Sequence, residues 1–209
     1  NSLSDTISLM KISMSLGFIK FLIMPPAYYK YDDQDVFNFY SNIIKVIPDS
    51  KIILYNFEKL SGYKFSENIV YKLVENFPDQ IIGVKDSSYN LFEKLKINNF
   101  SLMPGSETKL LKGLELGCSG IITATTNATA SLARDVYENF IQKKENNLNK
   151  KLCEVRAVFE QYNLISGLHT FFGQNDKNYE NILPPLRILN ETEKNNLFNQ
   201  LDTLDFKNN

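Results

Sequence analysis

Gln80-Ile81-Ile82-Gly83-Val84-Lys85-Asp86-Ser87-Ser88 is the stretch on which the reading of this chain turns. Its first half is a short, apolar, β-branched run, the pattern of a buried strand. Lys85 then breaks that run, followed by Asp86 and two serines. A lysine directly after a buried strand is costly unless it is paired or sits where the strand opens into a pocket. Two readings follow. One is an amine at the mouth of a barrel or sheet, desolvated enough to act as a nucleophile. The other is a lysine that lays its stem along the strand end and keeps its head in water.

The same strand-then-helix rhythm extends on both sides. Upstream, a helix begins near Ser4 and stops at Gly17, and a strand over 18–24 is closed by Pro25-Pro26. Asp32 or Asp33 caps a helix carrying Val36, Phe37, Tyr40, Ile43, Ile44 and Ile47 at helical spacing. A strand over 51–57 and a helix capped by Ser66 lead back to the opening stretch. Downstream, the pattern predicts a helix over 91–97, a strand over 100–103, a helix over 107–116 and a last strand over 120–124. Helices over 131–142, 152–168 and 191–204 complete the chain, with the charged run 143–151 as a solvated turn.

Alternating strands and helices with nearly all-apolar strands imply a parallel sheet. The unit length of ~20 to 30 residues suits an α/β TIM (β/α)8 barrel with extra C-terminal helices. About five βα units are expected in 1–143, and a helical extension in 144–209. Five strands do not close such a barrel, so ~three strands are expected upstream of Asn1. The alternative, an open doubly wound sheet, usually carries a Gly-rich phosphate turn, and the sequence has none.

A formal net charge of -1 gives no electrostatic case for nucleic acid or an anionic membrane. No apolar run approaches the ~18 residues of a membrane helix. Two cysteines, Cys118 and Cys153, make no disulfide framework, which points to the cytoplasm and to two small buried apolar groups. With one histidine, His169, a histidine-based metal site is not expected, and no cofactor-binding loop is present. His169 is expected to be structural.

In a barrel, chemistry sits at the C-terminal ends of the strands. Those ends carry Tyr28, Tyr55, Lys85, Ser87, Gly105, Glu107 and Thr125. An amine among proton-transfer groups, without metal ligands, suits Schiff-base chemistry on a 2-oxo acid, with Tyr55 as the proton shuttle. Ser87 and Thr125 equally suit helix caps, and Glu107 equally suits a helix N-terminus.

The chain resembles the dihydrodipicolinate synthase / N-acetylneuraminate lyase family of class I aldolases. The residues that carry the likeness are Pro25-Pro26-Ala27-Tyr28-Tyr29-Lys30, Leu54-Tyr55-Asn56, Gly83-Val84-Lys85-Asp86-Ser87-Ser88, Pro104-Gly105-Ser106-Glu107-Thr108 and Gly120-Ile121-Ile122-Thr123-Ala124-Thr125-Thr126-Asn127. The resemblance implies that Lys85 forms an imine with pyruvate or a similar 2-oxo acid and that Tyr55 is the acid/base. It implies a Tyr28 lent across a subunit interface, and Gly105 and Ile122 lining the pyruvate end. Ser87 and Glu107 would face the variable part of the substrate, and Leu60 and Ser61, in the loop after the Tyr55-Asn56 pair, would also bind substrate. The family's paired-hydroxyl motif and GxxGE-like segment lie before this chain begins. A homo-oligomer, dimer or tetramer, is also implied.

Dihydrodipicolinate synthases carry an arginine where this chain has Leu60, and Leu60-Ser61-Gly62 is closer to neuraminate lyases and sugar-acid aldolases. Neuraminate lyases carry two acids where this chain has Glu107 and Thr108. An aldolase or lyase acting on pyruvate or a 2-oxo-3-deoxy sugar acid therefore fits best. Condensation of pyruvate with aspartate semialdehyde is the alternative, and an inactive barrel fragment with a binding or assembly role is the alternative of another class.

Overall fold

A computed structural model describes residues 1–207. The chain divides into two compact units, one of 1–105 with 112–121 and one of 106–111 with 122–209. The boundary expected between 143 and 144 falls inside the second.

The first unit opens with α1 (Leu3–Ser15), whose cap is Ser2, accepting from the Asp5 N–H, rather than Ser4. Then come β1 (Lys20–Ile23), α2 (Asp33–Val46), β2 (Lys51–Asn56), α3 (Glu58–Ser61), α4 (Glu67–Asn76), β3 (Ile81–Asp86) and β4 (Ser101–Pro104). Asp32 caps α2 in a reciprocal capping box with Asp35, and Ser66 caps α4. The strands form one parallel sheet in the order β1-β2-β3-β4. A strand order that never reverses has no switch point, so this is the winding of a βα barrel and not of a doubly wound sheet.

The two faces of the sheet differ. Leu54, Val84 and Leu102 are aligned neighbours on one face, buried together with the apolar sides of α2 and α4 in a core that includes Tyr40, Ile43, Phe65 and Leu73. Each such side chain contributes about 1.5–3 kcal/mol by leaving water. The Tyr40 hydroxyl, inside this core, donates to the Ile23 carbonyl at 2.8 Å. The other face carries Leu22, Ile53, Tyr55, Lys85 and Met103, none of them fully buried. Among the described residues only one face of the sheet is closely packed.

Two expected elements are absent among the described residues. Residues 91–97 form turns rather than a helix: the Asp86 carboxylate accepts from the Leu91 and Phe92 N–H groups as a cap would, and one turn closes from the Leu95 N–H to the Leu91 carbonyl at 2.9 Å, but none follows. Residues 120–124 are unpaired and form no strand. Just before them the Ser119 N–H reaches the Leu102 carbonyl at 2.9 Å, and Gly120 then turns away at φ 146°. The expected helix over 107–116 starts as a 3-10 turn at Glu107–Lys109 and continues as α5 (Leu110–Glu115).

The second unit holds α6 (Thr126–Ile141), α7 (Leu148–Phe159), α8 (Leu164–Gly173) and α9 (Glu191–Thr203) around Val155, Phe159, Phe171, Leu197 and Leu201. α6 begins five residues earlier than its pattern suggested. The single helix expected over 152–168 is two, because Asn163 leaves helical geometry and caps α8 by accepting from the Ile165 and Ser166 N–H groups. Among the described residues no helix is long and apolar enough to cross a membrane.

Candidate active site

Lys85 and Tyr55 are cross-strand neighbours on β3 and β2. Their side chains leave the half-buried face together, and the Lys85 ammonium lies 4.0 Å from the centre of the Tyr55 ring. Such a contact is a cation–π pair. Phe57 stacks against Tyr55, with ring centres 6.0 Å apart.

One residue farther along each strand, Asn56 and Asp86 point to the opposite face, and both are fully buried. The Asn56 amide donates to Asp86 Oδ1 at 2.8 Å and to Asn90 Oδ1 at 2.9 Å. Asn56 Oδ1 accepts from the Phe65 N–H at 3.1 Å, and the Asn90 amide donates to the Phe65 carbonyl at 2.9 Å. Asp86 Oδ2 accepts from the Leu91 and Phe92 N–H groups at 2.8 and 2.9 Å. A buried carboxylate is tolerable when its oxygens are met by donors in this way.

Ser87 and Gly105 are also adjacent. The Gly105 N–H donates to the Asp86 carbonyl at 3.0 Å, and a Cβ on Gly105 would come within 2.1 Å of Ser87 Oγ. Glycine is required here by close approach. In the following loop Leu60 is 55% exposed, whereas Ser61 is buried and its hydroxyl bonds the backbone of Phe57 and Tyr63. Ser61 shapes the turn, and its hydroxyl is not open to a ligand. Tyr28 stands 90% exposed at φ 90°, with its ring edge-on to Tyr29.

In the second unit Glu107 is fully buried. Its Oε1 accepts from the hydroxyls of Thr123 and Thr125, each at 2.7 Å, and of Thr129 at 3.0 Å. Its Oε2 pairs with Arg156 at 3.2 Å, and the same Arg156 nitrogen donates to Thr125 Oγ1 at 2.6 Å. The expectation that Glu107 faces substrate is corrected by this geometry: the carboxylate is spent on four side chains and has no water-facing side. Thr125 belongs to this cluster and makes no side-chain cap to α6. Ile122, half-buried, immediately precedes Thr123. His169 Nδ1 lies 2.6 Å from the Tyr179 carbonyl. Burial raises both thiols, Cys118 to about 11 and Cys153 by direction, with Glu107 adding to the latter.

Asn90, Arg156 and Thr129 carried no signal at the level of local pattern, because their partners lie 22 to 49 residues away. Asn56 and Asp86 were legible in part: strand alternation puts them opposite Tyr55 and Lys85, where a polar side chain needs a partner.

A model of the family described as Dihydrodipicolinate synthetase matches residues 1–204. The chain belongs to the dihydrodipicolinate synthetase family. An uncharacterized DapA-like lyase of Chloroflexus aurantiacus is 30% identical over 147 residues, which cover 68% of this chain and 49% of that one. A 2-dehydro-3-deoxy-D-gluconate/2-dehydro-3-deoxy-phosphogluconate aldolase of Picrophilus torridus is 29% identical over 69% of this chain and 55% of its own. An N-acetylneuraminate lyase of Clostridium perfringens is 30% identical over 66% and 48%. The chain thus spans about half the length of the curated relatives it matches. Among solved structures, the DHDPS from Cyanidioschyzon merolae superposes with a TM-score of 0.89 at 19% identity, over 98% of this chain and 72% of that one. At that identity the match establishes the fold, a TIM-barrel architecture with extra helices.

Proposed function

We propose that this chain carries the Schiff-base half of a pyruvate-type class I aldolase or lyase. The observation that carries the reading is the Lys85 amine held 4.0 Å from the Tyr55 ring centre, at the ends of adjacent parallel strands of a member of this family. Strand ends are where barrels place their chemistry. In the proposed reaction the neutral Lys85 amine adds to the C2 carbonyl of a 2-oxo acid. Loss of water leaves an iminium, which accepts the electron pair of the C3–C4 bond as that bond breaks. Tyr55 relays the proton of the C4 hydroxyl to the enamine carbon as the aldehyde leaves, and hydrolysis of the resulting iminium frees pyruvate and Lys85.

A 2-oxo-3-deoxy sugar acid is the favoured substrate class. Leu60, half-exposed, offers no cation to a second carboxylate, and the aldolase and lyase relatives support the same choice. Tyr28, exposed on a strained backbone, suits a contact with a second copy of the chain. Incubation with pyruvate, reduction with borohydride and peptide mapping are expected to place the adduct on Lys85. A folded sample with Lys85 unmodified overturns the reading. A panel of 2-dehydro-3-deoxy sugar acids run against aspartate semialdehyde then separates cleavage from condensation.

A further inference from the structure

The pairing of Lys85 with Tyr55 ends one residue before Asn56 and Asp86, where the ladder itself ends. Past that point one backbone bond joins the two strands, from the Ser87 N–H to the Asn56 carbonyl at 2.8 Å. Side chains add to the restraint. Asn56 and Asp86 are register partners on the buried face, and their 2.8 Å bond ties β2 to β3 at the last paired position.

The tie also continues outward. Phe65 is held through both backbone groups, its N–H by Asn56 and its carbonyl by Asn90. Its ring is buried at 5.1 Å from the ring of Tyr63. Phe65 ends the loop that carries Leu60 and Ser61. On the other side, Asp86 holds the Leu91 and Phe92 N–H groups and so fixes the turn after Ser88. Every polar atom of the Asn56 side chain and both oxygens of Asp86 are occupied, which leaves the assembly one arrangement.

We infer that Asn56, Asp86 and Asn90 are positioning residues: they form a clamp that sets the Lys85 amine against Tyr55 and ties the Leu60–Ser61 loop to the same strand ends. The inference rests on the imine chemistry proposed for Lys85. None of the three is a catalytic residue, since the side chains of Asn56 and Asp86 leave the opposite face of the sheet and that of Asn90 bonds Asn56 and Phe65 there. Their effect is geometric, and a displacement of about 1 Å at reacting groups costs on the order of a hundredfold in rate.

The test follows adduct formation at Lys85 against pyruvate concentration, using borohydride trapping on the full chain. Asp86→Asn sets an amide N–H2 against the Asn56 amide. It is expected to lower the saturating trapping rate by about tenfold to a hundredfold and leave the half-saturating pyruvate concentration within about twofold. The exchanged pair Asn56→Asp with Asp86→Asn faces donor to acceptor again at that bond but sets a carboxylate against Asn90 Oδ1, and is expected to recover part of that rate. A merely structural role would move the melting temperature and leave the rate per folded molecule alone. A folded Asp86→Asn chain that traps at the unsubstituted rate overturns the clamp, as does an exchanged pair that recovers the melting temperature but not the rate. If Asp86→Asn does not fold, Asn90→Ala decides: faster hydrogen exchange at the Phe65 amide with slower trapping supports the clamp, and unchanged trapping overturns it. Absence of any adduct in the unsubstituted chain brings down the imine reading and this inference with it, whereas trapping indifferent to all three positions brings down the clamp alone.

Discussion

Lys85 and Tyr55 carry the chemical proposal, and each has a distinct expected phenotype. Lys85→Ala is expected to lose the pyruvate adduct altogether, read by mass after borohydride. Tyr55→Phe keeps the ring beside the amine and removes the hydroxyl. It is expected to cost about 10²–10⁴-fold in carbon–carbon cleavage, read by aldehyde release, with Lys85 still trapped by pyruvate. Glu107 behaves differently because it is a buried partner and not a reactant. Glu107→Gln leaves Arg156 facing a neutral group with only the half-exposed Glu160 as counter-charge. A loss of about 3 kcal/mol in urea unfolding is expected, and the double replacement with Arg156→Met is expected to lose less than the sum of its parts. These residues show what local reading reaches. Lysine at the end of a buried strand is conspicuous because the charge is costly there. A glutamate at a helix N-terminus looks the same in sequence whether it faces a substrate or three threonines.

At the scale of elements, β3 and β4 meet where Gly105 has no room for a side chain. Gly105→Ala drives a Cβ into Ser87 Oγ and is expected to cost about 1–3 kcal/mol; Ser87→Gly in the same chain is expected to recover part of it, measured by thermal melting. The elements that were readable are those with a local cause. α2 and α4 have caps and a helical apolar stripe, and β2 and β3 are β-branched runs closed by turns. The ones that failed show no flaw in their local pattern. Residues 91–97 have helical spacing and a cap, since Asp86 accepts from the Leu91 and Phe92 N–H groups, yet only the turn from Leu95 back to Leu91 closes. Residues 120–124 have a strand's composition, but a strand exists only where a partner is paired along it.

At the scale of the whole molecule, β1 pairs on one side only among the described residues, with β2. Nearby, α1 exposes Leu9 and Ile12, and the segment after it exposes Leu16, Phe18 and Ile19. An open edge beside exposed apolar side chains favours association. Sedimentation velocity is expected to show concentration-dependent self-association, and a monomer that melts cooperatively at high concentration contradicts it. Stability is also expected to fall in mild alkali. Burial raises the Cys118 thiol from 9.0 to about 11. Between those values the unfolded chain has released the proton and the folded chain still holds it, so unfolding is favoured as pH rises through this window. Cys118→Ala is expected to flatten that slope in chemical unfolding followed from pH 8 to 11.

By itself the sequence determined the alternation of strands and helices, the family, and the place of Lys85 and Tyr55 at adjacent strand ends. Those follow from periodicity, caps and short motifs, which act over a few residues. The tertiary structure alone decided which polar side chains are free. Asn56, Asp86 and Asn90 close on one another across 30 and 34 positions, and Glu107 closes on Arg156 across 49. A buried polar group must find its partner wherever the fold brings one, so its role is set by contacts that no local pattern encodes.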